Sequence, residues 1–176
     1  MHQAVQELDA EMDRDGLTVP MIAERAGVTP STIYRRWGSL PDLLSDVALG
    51  SLRPDTEPAD TGTVPGDLQA WAEQYLDEMT SAVGMTMIHD VLASNRADAS
   101  CQCAAFVAGQ IGQIIGRGVA RNEAVPTVDA VMDAVVAPII YRALFGPVLP
   151  TRDRVSDLVA RCVADAAYSQ PDLRNL

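Results

Sequence analysis

Histidine occurs only at His2 and His89 in this 176-residue chain, and lysine does not occur at all. With so little imidazole there is no Ser-His-Asp arrangement. There is also no Gly-rich phosphate loop, and no carboxylate pair whose spacing says more than solvent exposure. No catalytic residue is therefore assigned, and the chain reads as a non-enzyme. Cysteine is sparse too: Cys101, Cys103 and Cys162 are odd in number, which does not suggest a disulfide framework and suits a reducing compartment. Cys101 and Cys103 with His89 invite a metal reading, but residues two apart on a helix point roughly 200° from each other. They read instead as small core or surface thiols, and neither a metal nor a cofactor is expected. No apolar run reaches the roughly 18 residues of a membrane-spanning helix. The opening Met1-His2-Gln3-Ala4-Val5-Gln6-Glu7 lacks the charged and apolar regions of a signal peptide. The expectation is a cytoplasmic protein without a membrane partner.

What is present is a large apolar fraction, 48% of residues, enough for a real core. The formal net charge is −11 with a pI near 4.4. Such a surface repels phosphates and argues against non-specific coating of nucleic acid, while leaving room for a sequence-specific binder with a small basic face.

The most informative stretch is Thr18 to Trp37. Thr18 is placed to cap a helix with Val19, Ile22, Ala23 and Ala26 on its apolar side, and Gly27 is suited to the left-handed conformation that ends it. Thr29 is a second cap position, with Pro30 at the first helical position, where its missing N–H costs nothing. Along this second helix Ile33 and Trp37 share a face, expected together with Val28 to pack inward against Ile22 and Ala26. The other faces carry Ser31, Thr32, Tyr34, Arg35 and Arg36, groups suited to a major groove and its phosphates. Between Arg25 and Pro41 stand three arginines and no acid. The stretch reads as a helix-turn-helix.

The rest is all-α in pattern. A helix over 3–12 carries Val5, Leu8 and Met12 on one side. Ser39 caps a fourth helix with Leu43, Leu44, Val47 and Ala48 as its stripe, ending at Gly50. Prolines, glycines and acids over 51–66 read as a mobile loop. Further helices are expected near 67–82, 85–96, 98–121, 126–145 and 151–168. The domain reading is therefore a helix-turn-helix unit over 1–50 including the fourth helix, a loop over 51–66, and a larger helical domain over 67–176. The last two helices are apolar on more than one side, which suggests that two chains pair them into a four-helix bundle.

From Leu17-Thr18-Val19 through Ile22-Ala23-Glu24-Arg25-Ala26-Gly27-Val28-Thr29-Pro30-Ser31-Thr32-Ile33-Tyr34-Arg35-Arg36-Trp37 to Leu43-Leu44, the chain resembles the TetR family of bacterial transcriptional regulators. In that family three N-terminal helices bind DNA, and a fourth links them to a larger helical domain that dimerises and takes a small-molecule inducer. The resemblance implies that Thr29, Pro30, Ser31, Thr32 and Arg35 meet bases or nearby backbone, and that Tyr34, Arg36 and Thr18 meet phosphates. It also implies an approximately palindromic double-stranded operator and a homodimer joined through the helices near 126–145 and 151–168. This chain departs from the pattern in several places. The first helix usually starts earlier, after a short basic arm. Asp13 stands where a glycine is common, Arg14 where an aromatic is frequent, Asp9 at a usually apolar position, and Leu40 where a lysine is frequent.

Trp71, Tyr75, Met79, Met87, His89, Phe106, Gln110 and Tyr141 are candidates for an inducer pocket, and ordinary core accounts for the same spacing. The functional expectation is a repressor released from its operator by an unknown small molecule. The alternative is a helical ligand-binding or protein-interaction module with weak or lost DNA binding, a reading motivated by Leu40 and the acidic charge.

Overall fold

The computed structural model describes residues 1–12 and 14–169. Asp13 lies outside them, as do residues 170–176 of the expected C-terminal domain. All regular structure among the described residues is helical. In chain order the helices are α1 (His2–Glu11), α2 (Val19–Arg25), α3 (Pro30–Trp37), α4 (Leu40–Leu52), α5 (Val64–Thr80), α6 (Ala82–Ala93), α7 (Ala99–Ala120), α8 (Val128–Val131), α9 (Ala137–Phe145) and α10 (Arg152–Ser169). No described helix is long and apolar enough to cross a membrane.

Two compact units arise, and they do not follow chain order. The first comprises Met1–Arg53 with Thr86–Cys103; the second comprises Pro54–Met85 and the residues from Ala104 onward. From the sequence, the first boundary is expected at residue 50, with everything beyond 66 in one domain. Polar contacts tie 86–103 to the rest of the first unit. Asp42 Oδ1 accepts from the Ser94 hydroxyl at 2.9 Å and the Asn95 N–H at 3.0 Å. Arg96 lies 3.4 Å from Asp46, and the Arg14 guanidinium bridges Asp9 and Asp90.

The core of the first unit gathers Val5 and Leu8 of α1, Leu17, Val19, Ile22 and Ala23 of α2 and its approach, Ile33 of α3, and Leu43, Leu44 and Val47 of α4. Gly27, at φ +68°, ends α2 as its composition predicts. The Val28 N–H then reaches the Ala23 carbonyl at 2.9 Å and the Gly27 N–H the Glu24 carbonyl at 3.1 Å, satisfying two otherwise orphaned carbonyls. Val28 itself is 37% exposed, not packed inward as expected. It lies in the turn, outside the registers of both helices, so their periodicity does not govern it. Ser39 caps α4 as expected, accepting the Asp42 N–H at 3.3 Å, and α4 runs two residues beyond Gly50, to Leu52.

In the second unit α10 packs along α5. The segment that composition reads as a mobile loop is irregular only between Arg53 and Thr63, and its second half is held by hydrogen bonds. Arg117 donates to the carbonyls of Pro58 and Ala59 at 2.8 Å each. The Thr61 N–H and hydroxyl reach Asp67 Oδ1 at 2.6 and 2.8 Å. The Val64 N–H reaches Glu123 at 2.8 Å. Asp67 is fully buried and also receives Arg121 at 3.0 Å and Arg117 at 3.4 Å.

The helix expected over 126–145 begins at the cap Thr127 and is interrupted by a wider π turn at Met132–Val136, where the Ala137 N–H reaches back to the Met132 carbonyl. Pro138 explains it: a proline has no N–H to continue an α-helical ladder and its ring crowds the carbonyl four residues earlier.

Candidate functional site

The expected contact residues cluster in the first unit, on α3 and at the start of α2. Ile33 is fully buried and Trp37 half-buried, fixing which side of α3 faces the core. With roughly 100° per residue, Arg35 then lies about 180° from the midpoint of that inward face, and Tyr34 and Arg36 about 80° to either side. Ser31 and Thr32 lie one turn before Arg35 on the outward side. Thr29, Pro30, Ser31, Arg35 and Arg36 are exposed, Tyr34 is 51% exposed, and Thr32 is half-buried. Thr18 is exposed at the start of α2.

Thr18 and Thr29 occupy cap positions with extended backbone, yet neither side chain makes the cap hydrogen bond expected of it. The Thr29 hydroxyl instead lies 2.9 Å from that of Ser31 and 3.1 Å from that of Thr32. Three hydroxyls thus gather at the first turn of α3, each able to donate or accept toward an incoming partner.

One buried-edge contact orients α3. The Trp37 indole N–H donates to Asp46 Oδ2 at 3.0 Å, and His2 Nε2 lies 3.1 Å from the same oxygen. Burial pushes the Asp46 carboxyl upward, but these two partners and Arg96 outweigh it and hold the group below the usual carboxylate range. One turn earlier on α4, Asp42 is held low by the Ser39 hydroxyl first, and then by Ser94 and Asn95. Sequence reasoning missed Asp46 and the partnering of Asp42 with Ser94 and Asn95, because Ser94, Asn95 and Arg96 stand 50–53 residues from these aspartates and no local pattern links them.

The three arginines counted as a basic window differ in availability. Arg25 is engaged: its guanidinium meets Glu11 at 2.8 and 2.5 Å and Glu7 at 3.5 Å. The Glu11 carboxyl is correspondingly held below its ordinary range by that hydrogen bond. Glu7 and Glu11 stand four apart on α1, the one local signal that could have shown this. The Arg36 guanidinium lies 4.6 Å from the centre of the Trp37 ring, a cation–π contact. Arg35 has no hydrogen-bond or ion-pair partner among the described residues.

The pocket candidates divide between the units. In the second, Trp71 stacks on Tyr75 with ring centroids 5.2 Å apart, and its indole N–H donates to Gln110 Oε1 at 2.9 Å. Met79 is buried further along α5, and Phe106 is half-buried one turn before Gln110. Tyr141 is 67% exposed and tilts against Phe145. Met87, half-buried, and His89, exposed, belong to the first unit.

Two family models match the chain. That described as "Bacterial regulatory proteins, tetR family" matches residues 7–47, and that described as "Tetracyclin repressor-like, C-terminal domain" matches residues 58–162. The chain is 28% identical over 173 residues to the uncharacterized HTH-type transcriptional regulator YdeS of Bacillus subtilis, spanning 94% of this chain and 84% of that protein. It is 32% identical over 73 residues to the HTH-type transcriptional regulator AqdR of Rhodococcus erythropolis, a match covering 42% of this chain and 35% of that relative. Its fold is similar to the crystal structure of a TetR-family regulator from Mesorhizobium loti, with a TM-score of 0.52, 14% identity, and coverage of 95% of this chain and 93% of that one.

Proposed function

The chain belongs to the TetR family of bacterial transcriptional regulators, and from that premise we propose that it is a homodimeric repressor released from an approximately palindromic operator by a small-molecule inducer. The observation that carries this reading is α3: an exposed acid-free helix whose outward side bears hydroxyls, a phenol and two guanidiniums, anchored by Ile33 and by the Trp37–Asp46 hydrogen bond. Thr29, Pro30, Ser31, Thr32 and Arg35 meet the groove, and Tyr34, Arg36 and Thr18 meet phosphates. Each subunit inserts one α3, so two half-sites about one helical turn apart, or a multiple of it, define the operator.

Trp71 and Tyr75 stack in the interior of the second unit with the indole N–H held by Gln110, an apolar lining with a few polar groups of the kind an inducer site uses. An inducer releases DNA only by binding one conformation of the dimer better than the other.

An electrophoretic shift with the DNA upstream of the protein's own gene tests the reading. Wild type forms a specific complex. Arg36→Ala weakens it by removing a phosphate contact, and Tyr34→Phe weakens it by removing one hydroxyl. The absence of any specific complex at low salt, with a properly folded dimer, sinks the proposal.

A further inference from the structure

We propose that Arg35 reads a guanine in each half-site and is the one arginine of this face that carries base specificity. The inference deepens the operator-binding reading above and rests on it. It follows from how the three arginines are engaged. Arg25 is occupied by the carboxylates of Glu11 and Glu7, at 2.5–3.5 Å, and its charge is largely neutralised at the surface of α1 and α2. Arg36 lies against the Trp37 ring, 4.6 Å from its centre, and projects from a flank of α3. A flank of a helix lying in a groove faces the sugar-phosphate wall, so Arg36 supplies charge without reading sequence. Arg35 differs in both respects: it has no partner among the described residues, and it stands about 180° from the inward face fixed by Ile33 and Trp37. When α3 lies in the major groove with its core side facing away, that position faces the floor.

The neighbouring outward groups are Ser31 and Thr32, with Thr29 ahead of them. Their short hydroxyls donate or accept and therefore distinguish bases weakly. Only the Arg35 guanidinium on this side offers two parallel N–H donors. The base edge that accepts such a fork is guanine, through O6 and N7.

Selection of binding sites from a random double-stranded DNA pool, followed by titration of single-base variants of an enriched site, tests the inference. Wild type is expected to enrich sites with one fixed guanine per half-site, and replacing that guanine weakens binding roughly tenfold to a hundredfold. Arg35→Ala is expected to enrich sites in which that one position is free while the others stay fixed. Arg35→Lys is expected to keep the salt dependence of wild type but lose most of the guanine preference, since an ammonium lacks the fork. Arg36→Ala is expected to bind all sites more weakly, with a shallower salt dependence and the same preferred bases. The inference is overturned if Arg35→Ala, folded and dimeric by circular dichroism and sizing, still fixes the same guanine, or if its loss is uniform across sequences. A wild-type protein that enriches no sequence at all overturns the operator-binding reading itself, a distinct outcome.

Discussion

Gly27 and Val28 are neighbours in one turn, and a substitution at each probes a different physical term. Gly27 has φ +68° and nothing within 4 Å of where a Cβ would sit, so a side chain there meets no clash, only backbone strain. Gly27→Ala is expected to lower stability by about 1 kcal/mol, measured by urea unfolding. Val28→Ser, on an exposed side chain, is expected to stay within about 0.5 kcal/mol. Gly27 was legible in the sequence because a glycine between two amphipathic runs has a stereochemical reason to be there. Val28 was not, because a hydrophobic residue in a turn belongs to no helical register. The same contrast separates Thr29, correctly placed at the start of α3, from its hydroxyl. That hydroxyl is shared with Ser31 and Thr32 and does not cap the helix. Position follows from the chain, whereas the choice among nearby hydrogen-bond partners follows from three-dimensional packing.

At the scale of elements, Asp67 shows how a fully buried charge organises its surroundings. It draws together the start of α5, the end of α7 and the segment at Thr61, through Arg121, Arg117 and the Thr61 N–H and hydroxyl. Burial pushes its carboxyl upward, but the hydrogen bonds and guanidiniums outweigh it, and its pKa is lowered. A carboxylate lowered on folding contributes stability that is fully present above its ordinary value and is lost as pH falls through the folded one. Wild type is therefore expected to lose more stability between neutral pH and about pH 3 than Asp67→Asn, which is the less stable of the two at neutral pH. Equal slopes of urea midpoint against pH would contradict this. The helices themselves were legible, their ends falling within a few residues of those expected from caps and prolines. The proline- and glycine-rich stretch was legible as a break between helices. Its anchoring was not, since Arg117 and Arg121 meet it across more than fifty residues of chain.

For the whole molecule, the apolar excess of the last two helices is now sorted by position. Val131, Val135, Ile139, Val155 and Val159 are buried within one protomer, whereas Tyr141 and Phe145 remain exposed, Phe145 at 70%, as does Val148 in the turn that follows them. We propose that a second copy covers this surface. Sizing with light scattering is expected to show a dimer for wild type and a monomer for Phe145→Asp; a monomeric wild type would contradict the paired assembly. The acidic whole, at −11, leaves DNA attraction to the small face around α3, so weak non-specific binding and a high specificity ratio are expected. The most direct test is fluorescence anisotropy at about 150 mM salt, comparing a labelled fragment from upstream of the protein's own gene with a scrambled fragment of equal composition. Binding to the native fragment at least about a thousandfold tighter is the predicted result. Equal affinity for the two fragments would contradict the account.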